Sequence, residues 1–395
     1  MPFIDYYDLL QVSPKAHIEV IKSAYRTMMS KLNNHPDKGG DEERAKLINE
    51  AYEILCNEEK RKMYDQFYTN FNGHSNTTQQ TNKSSTSDKI NIVESQTIYG
   101  HTRSVDIVSL GNYNSIIASC HNSGLVDSFF GMFSQENYNT QVKMWDINSG
   151  QELRFLQIGD STVKSLKVSC NNNHIAVGTD GFINIGDINT LEVFYALEGD
   201  GGNWGGIAFK DDLSLLAVGV AEGVQVINVF TDETIAVLPH QYGQDHIWMS
   251  GNGEILATST ENEELIHIWE IANCRKLRSL PNPNSFSPSV AINDTGKILA
   301  ISDNYSSISF WDTFTGKKIK DIFFQSEIIQ FSPRNKYFIT GDNYGVVRLF
   351  NSQTYNELIT FKAHNEGITS LCFSNDDNRI ITGSKDKSIK IWDIQ

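Results

Sequence analysis

Cysteine is scarce and scattered in this chain. Its five copies, at positions 56, 120, 170, 274 and 372, form no CxxC pair, which excludes a disulfide framework and a cysteine zinc module. No run of eighteen apolar residues occurs, so no membrane-spanning helix is expected. The opening MPFIDYYDLL has no basic segment followed by an apolar core, so a secretory signal is not expected and the reading is cytoplasmic. Basic charge is in deficit, with 33 Lys and Arg against 48 Asp and Glu, which argues against nucleic acid or an anionic membrane as the main partner. The deficit is uneven. Residues 1–70 hold ten basic and twelve acidic side chains, so the rest of the chain carries most of the excess. There is no phosphate-binding P-loop, no HExxH and no nucleophile elbow. These absences predict a protein that is not an enzyme and needs neither cofactor nor metal.

What is present begins with residues 33–41, NNHPDKGGD, between two segments of helical period. Upstream, Ile18, Ile21, Tyr25, Met28 and Leu32 form one apolar stripe. Ser13 followed by Pro14 predicts the start of that helix, with a hydroxyl cap and a proline whose missing N–H costs nothing there. Downstream, Asp41 is placed to cap a helix carrying Ala45, Ile48, Tyr52 and Leu55, with Glu42 and Glu43 in its first turn, where the helix dipole favours negative charge. Pro36 stops the first helix and Gly39-Gly40 permits the reversal. The result is an αα-hairpin that presents its loop.

Residues 3 to about 67 resemble the J domain of DnaJ-type co-chaperones. FIDYYDLLQV resembles the family's first short helix, Ala24-Tyr25-Arg26 its second, NEAYEIL its third and EEKRKMYDQF its last. The resemblance implies docking on a DnaK-type heat-shock chaperone and stimulation of its ATP hydrolysis. His35, Pro36 and Asp37 match the family's required triplet, and Lys22, Arg26 and Lys31 the basic face of the second helix. Lys22 and Arg26 are four apart and share a face, so they can steer an acidic partner. Asp37, held beside a proline, can accept charge-assisted hydrogen bonds from a partner arginine. The match departs at one place. Eight residues (27–34) separate Arg26 from His35 where the family usually has six, and Asn34 stands where an aromatic is common. The zinc module of the larger DnaJ proteins is missing.

Residues 69–89 are dominated by Asn, Thr, Ser and Gln and read as a flexible polar linker, spanning about 25 Å on average. From residue 90 onward short alternating strands take over. Trp145-Asp146, Trp269-Glu270, Trp311-Asp312 and Trp392-Asp393 each end such a strand, with Gly186-Asp187, Ile227-Asn228 and Phe350-Asn351 at the equivalent place in weaker copies. The seven markers are separated by 41, 41, 42, 42, 39 and 42 residues. Each copy resembles the WD repeat, which implies four-stranded blades of a β-propeller. In the last copy His364, Thr382 or Ser384, Asp386 and Trp392 match that family's buried hydrogen-bond chain. The copies around Gly186 and Ile227 lack the tryptophan, so apolar packing alone is expected there. The last copy stops one strand short, and residues 92–98 are predicted to pair with residues 388–394 and close the ring.

The predicted organisation is therefore a small all-α J domain (residues 1–68), a linker (69–89) and an all-β, seven-bladed WD-type propeller (90–395). The first copy carries a long insertion between Cys120 and Gln141 whose Phe129, Phe130, Met132 and Phe133 are an apolar cluster. It reads either as a loop folded back on its own blade or as a contact site for a client protein. His101, His240 and His364 recur at the start of three copies, which the repeat explains. The chain reads as a co-chaperone whose propeller holds a protein and whose J domain recruits the chaperone to it. The alternative is a protein-interaction scaffold with a J-like domain that does not activate.

Overall fold

The structure is a computed structural model. It describes residues 6–10, 12–14, 16–33, 42–57, 61 and 90–395, apart from 112–115, 123–139, 171–172, 180, 199–205, 241–245, 261–262, 284–288 and 304–305. The chain divides into two compact units, Met1–Asp88 and Lys89–Gln395.

The first unit contains α1 (Tyr6–Leu9), α2 (Ile18–Asn33) and α3 (Glu42–Cys56). Tyr7, Leu10, Ile21, Ile48, Ala51 and Leu55 form its buried core, with Tyr25 and Met28 packed against them. The α2 and α3 stripes meet where Tyr25 stacks on Tyr52 at 4.0 Å and its hydroxyl donates to Asn49 Oδ1 at 2.8 Å. The start of α2 differs from the sequence reading. Ser13 and Pro14 belong to a turn closed by Ala16 N–H donating to the Ser13 carbonyl at 2.8 Å, where serine first and proline second are the favoured types. The helix begins one turn later. The His17 carbonyl accepts from Val20 and Ile21, and its Nδ1 faces the Glu19 N–H at 3.5 Å. The capping reading at Asp41 lies outside the described residues. Among the described residues no helix is long and apolar enough to cross a membrane.

The second unit is a ring of seven four-stranded antiparallel sheets among the described residues. The inner strand of each sheet touches the next around the ring, Ile107–Leu110 meeting both Val163–Val168 and Ile368–Phe373. Ser109 and Ser370 hydroxyls accept the Val168 and Val108 N–H groups at 2.9 and 3.0 Å, tying neighbouring inner strands together. Six blades are built from consecutive strands. The seventh takes its outer strand from the opposite end of the unit: Ile92–Tyr99 pairs with Ser388–Ile394, Ile92 opposite Ile394 and Tyr99 opposite Ser388.

Local chemistry explains the repeat. The second marker residue accepts backbone N–H groups two and three positions on: Asp146, Asp187, Asn228, Asp312 and Asn351 each do so within 3.2 Å. This is the Asx turn that Asp and Asn favour, and a β-bulge falls at the first marker residue in the same blades. The turn after the inner strand needs one left-handed residue, supplied by Gly253, Gly296, Asn335 and Asp377. Leu213 holds the same conformation in the third blade at φ 59°. It is fully buried in a cluster joining the second and third blades, which includes Ile183, Ile185, Leu216 and Val218 and no tryptophan.

The last blade carries a complete buried polar chain. Trp392 Nε1 donates to Thr382 Oγ1 at 3.1 Å, Thr382 Oγ1 lies 2.6 Å from His364 Nε2, and His364 Nδ1 lies 3.0 Å from Asp386 Oδ2. Of the two hydroxyls the sequence left open, Thr382 joins the chain; Ser384 instead donates to the Gly367 carbonyl. Trp145 and Trp269 find Ser119 and Thr258 in the same way. The fifth and sixth blades hold the two halves apart. Ile301 occupies the hydroxyl position opposite Ser309, leaving Trp311 Nε1 buried without a partner. Thr340 keeps the hydroxyl, but Phe350 offers no N–H, and Thr340 Oγ1 is buried and unpartnered.

One substitution should therefore have opposite signs in two blades. Thr382→Val strands both the His364 and Trp392 nitrogens and should cost about 2–4 kcal/mol, whereas Thr340→Val removes an unsatisfied hydroxyl and should stabilise by about 1 kcal/mol. Urea denaturation of the two variants checks this. A second outcome concerns acid. Burial, reinforced by the charges of His121 and Lys143, pushes the His101 imidazole down to about 3. The unfolded chain takes up a proton near pH 6.5 that the folded chain refuses until about pH 3, so stability is full above pH 6.5 and falls as pH drops through that window. Between pH 7 and 5 this one group should remove about 2 kcal/mol. His101→Gln should lose correspondingly less over the same interval, read from urea midpoints at the two pH values.

Candidate functional site

The basic face is a product of α2's register. Lys22 and Arg26 sit one turn apart on a flank of the helix, each next in sequence to a core residue, Ile21 or Tyr25, and about 100° around the axis from it. Lys22 is already engaged: its Nζ lies 2.9 Å from Glu19 Oε1, three residues earlier. The hydrogen bond and the charge together hold the Glu19 carboxyl below its usual range and the Lys22 ammonium above its own. Both groups face solvent, so such a pair contributes little to folding and can exchange for a carboxylate offered by a partner. Arg26 is exposed and makes no hydrogen bond or ion pair among the described residues. The Lys31 backbone lies in α2, while its side chain and all of His35, Pro36 and Asp37 fall outside the described residues. The same is true of Phe129, Phe130, Met132 and Phe133 in the propeller insertion.

Sequence reasoning missed what anchors this face. Arg61 donates through Nε to Tyr7 Oη at 3.0 Å and through Nη2 to the Pro14 and Ala16 carbonyls at 3.1 and 2.6 Å, and its guanidinium lies over the Tyr7 ring at 5.5 Å. A single arginine thus satisfies carbonyls in the turn before α2 and fixes that turn against α1. Its partners lie 45 to 54 residues away in the chain, so no local pattern marks it. Glu19 was legible in principle, since the Glu19–Lys22 spacing is that of a helical ion pair.

In the propeller, the inner strands enclose a cavity of about 310 Å³. Its polar lining includes Lys167 and Asp211, paired at 2.6 Å, and Asp294, whose carboxyl is raised by burial and by the neighbouring Asp211 charge. Burial works against the Lys167 ammonium, but the charge and hydrogen bond of Asp211 outweigh it and hold its proton affinity above the ordinary value.

Comparison with known proteins bears on both units. Residues 5–65 match the family model described as DnaJ domain, and residues 355–393 match WD domain, G-beta repeat. Among similar proteins, the chaperone protein DnaJ of a Nitratiruptor species is 53% identical over 68 residues, which is 16% of this chain and 18% of that protein. DnaJ protein homolog 2 of Allium porrum is 52% identical over 62 residues, 16% of this chain and 14% of that protein. The chaperone protein DnaJ of Campylobacter lari is 48% identical over 68 residues, with shares of 16% and 18%. The chain thus spans less than a fifth of the length of these curated relatives. The hairpin of α2 and α3 is part of a DnaJ domain at the N-terminal end of the chain, and a WD repeat at the other end completes a seven-bladed β-propeller.

Proposed function

We propose that the protein is a cytoplasmic co-chaperone, in which the DnaJ domain engages a DnaK-type heat-shock chaperone and the propeller holds the protein to be acted upon. The observation that carries this reading is the DnaJ-domain match over residues 5–65, together with Lys22 and Arg26 displayed side by side on an accessible helix face. In the proposed mechanism the basic face, with Lys31, steers and orients the acidic surface of the chaperone. Asp37, set by Pro36 beside His35, accepts hydrogen bonds from a chaperone arginine and couples docking to hydrolysis. The chemistry belongs to the chaperone, so the chain has no catalytic role and needs no cofactor. Residues 69–89 serve as a flexible link between the units. Such a link holds the recruited chaperone near the bound protein at an effective concentration of about a millimolar. WD propellers offer large rigid surfaces to protein partners, and Phe129, Phe130, Met132 and Phe133 are proposed as a contact for the client. Nucleic acid and membrane have no part in this scheme.

A second reading, a scaffold whose J-like domain does not activate, is favoured by one observation: eight residues rather than the usual six between Arg26 and His35, with Asn34 before the histidine. Single-turnover ATP hydrolysis by a DnaK-type chaperone, measured with the full chain added, separates the two. On the co-chaperone reading the chain accelerates hydrolysis, and Asp37→Asn weakens the response about 10–100-fold, the equivalent of one charge-assisted hydrogen bond. Equal stimulation by Asp37→Asn overturns the mechanism. No stimulation by the folded parent chain establishes the scaffold.

A further inference from the structure

We propose that His240, Glu263 and His267 form a binding site for one divalent transition-metal ion, with zinc the best fit, on the fourth blade of the propeller. The blade comprises His246–Met249, Ile255–Ser259, Leu265–Glu270 and Arg275–Pro281. His240 lies on the chain entering it, Glu263 in the turn before the third strand, and His267 on that strand.

Comparison between blades isolates what is unusual. In the last blade the corresponding residues are His364 and Asp386, six positions before Trp392, and His364 turns its Nδ1 to that aspartate. Two positions before the tryptophan stands Lys390, which reaches out to Glu94 at 2.9 Å; Lys143 occupies the same place in the first blade and reaches Glu152 at 2.8 Å. The fourth blade keeps the histidine and the acid, six positions before Trp269, and replaces the lysine by His267. A second imidazole thereby enters the pocket of the first, with ring centroids 4.9 Å apart. Repeat architecture accounts for His240 and Glu263 and gives no reason for His267.

The donor geometry suits one ion. The candidate ligand atoms all lie within 4.8 Å of one another. His240 Nε2 is 3.4 Å from Glu263 Oε2, and His267 Nε2 is 2.8 Å from Glu263 Oε1. Zinc bonds of about 2.0–2.1 Å at tetrahedral angles place neighbouring ligands about 3.4 Å apart, the separation that His240 Nε2 and Glu263 Oε2 already have. Glu263 Oε2 is shielded from solvent and has no hydrogen-bond partner, a costly state for a carboxylate oxygen that an ion would relieve. The His267 side chain is 3% exposed and that of His240 10%, so neither ring competes freely with water.

The support behind the donors is of the kind metal sites use. Ser279 Oγ lies 2.9 Å from His267 Nδ1. A hydroxyl both donates and accepts, so it can accept a hydrogen bond from Nδ1–H once Nε2 turns its lone pair to the ion, and so fix tautomer and ring plane. Two histidines and one glutamate are a zinc donor set that leaves one tetrahedral position for water.

The test uses the chelator-stripped full chain, with zinc titrated against a chromophoric chelator and cobalt(II) as an optical reporter. The parent should bind one more equivalent than the His267→Lys and Glu263→Gln variants, and that equivalent should give the intense visible bands of four-coordinate cobalt. His267→Lys restores the residue type of the first and last blades and therefore keeps the fold. Ser279→Ala should retain the equivalent with affinity reduced about 10–100-fold. Zinc should raise the melting temperature of the parent and leave those of His267→Lys and Glu263→Gln unmoved. Equal stoichiometry and affinity in the parent and both ligand variants would overturn the site.

Discussion

The seven-bladed ring depends on one pairing, between Ile92–Tyr99 and Ser388–Ile394. A sheet left with three strands exposes a row of unpaired backbone groups, a template for association with other chains. Here the outer strand of the last blade comes from the far end of the unit, 296 residues away at the Ser95–Ile391 contact, and the two ends are secured beyond the ladder itself. Asn91 and Gln395 exchange both backbone hydrogen bonds at 2.9 and 2.8 Å. Ser95 donates to the Ile391 carbonyl, and Lys390 pairs with Glu94 at 2.9 Å. The entropy of closing so long a loop grows only logarithmically with its length. The junction also buries Ile98 in a cluster with Val105, Trp145, Ile389 and Ile391, which joins first blade to last.

Around that ring the blades are stabilised by different means. Blades with a tryptophan and a hydroxyl at the paired position bury an indole N–H that meets its acceptor. Blades without the tryptophan rely on apolar clusters that run from one sheet into the next. The fifth and sixth blades each keep half of the polar device, and the phenylalanines there compensate by packing. Phe338 lies flat on Phe350 at 4.6 Å, and Phe310 lies 5.1 Å from Phe338. Repeats that share a backbone can thus exchange polar for apolar stabilisation blade by blade, because each contacts mainly its neighbours.

In the DnaJ domain the same economy serves presentation. Among the described residues six buried side chains form the core cluster, and the orientation of the first turns depends on a few polar ties. Arg61 supplies several of them at once, to a ring and to two carbonyls. Among the described residues Lys22 pairs with Glu19 and Arg26 makes no hydrogen bond or ion pair, so these two side chains carry little structural duty.

Local physics made much of this legible in advance. The apolar stripe through Ile21, Tyr25 and Met28 follows from helical period, and the marker spacing of 39 to 42 residues follows from a repeated strand, bulge and Asx turn. Both are set by residues a few positions apart, so the sequence displays them directly. Other features were decided only by folding, several of them through residues distant in the chain. These include the start of α2 at Ile18, one turn after Pro14, and the choice of Thr382 over Ser384. They also include the capture of two carbonyls by Arg61 and the meeting of His240 with Glu263 and His267. Each is a contact selected by packing among chemically equivalent candidates, and a linear pattern carries no information about which of them the packed core will bring together.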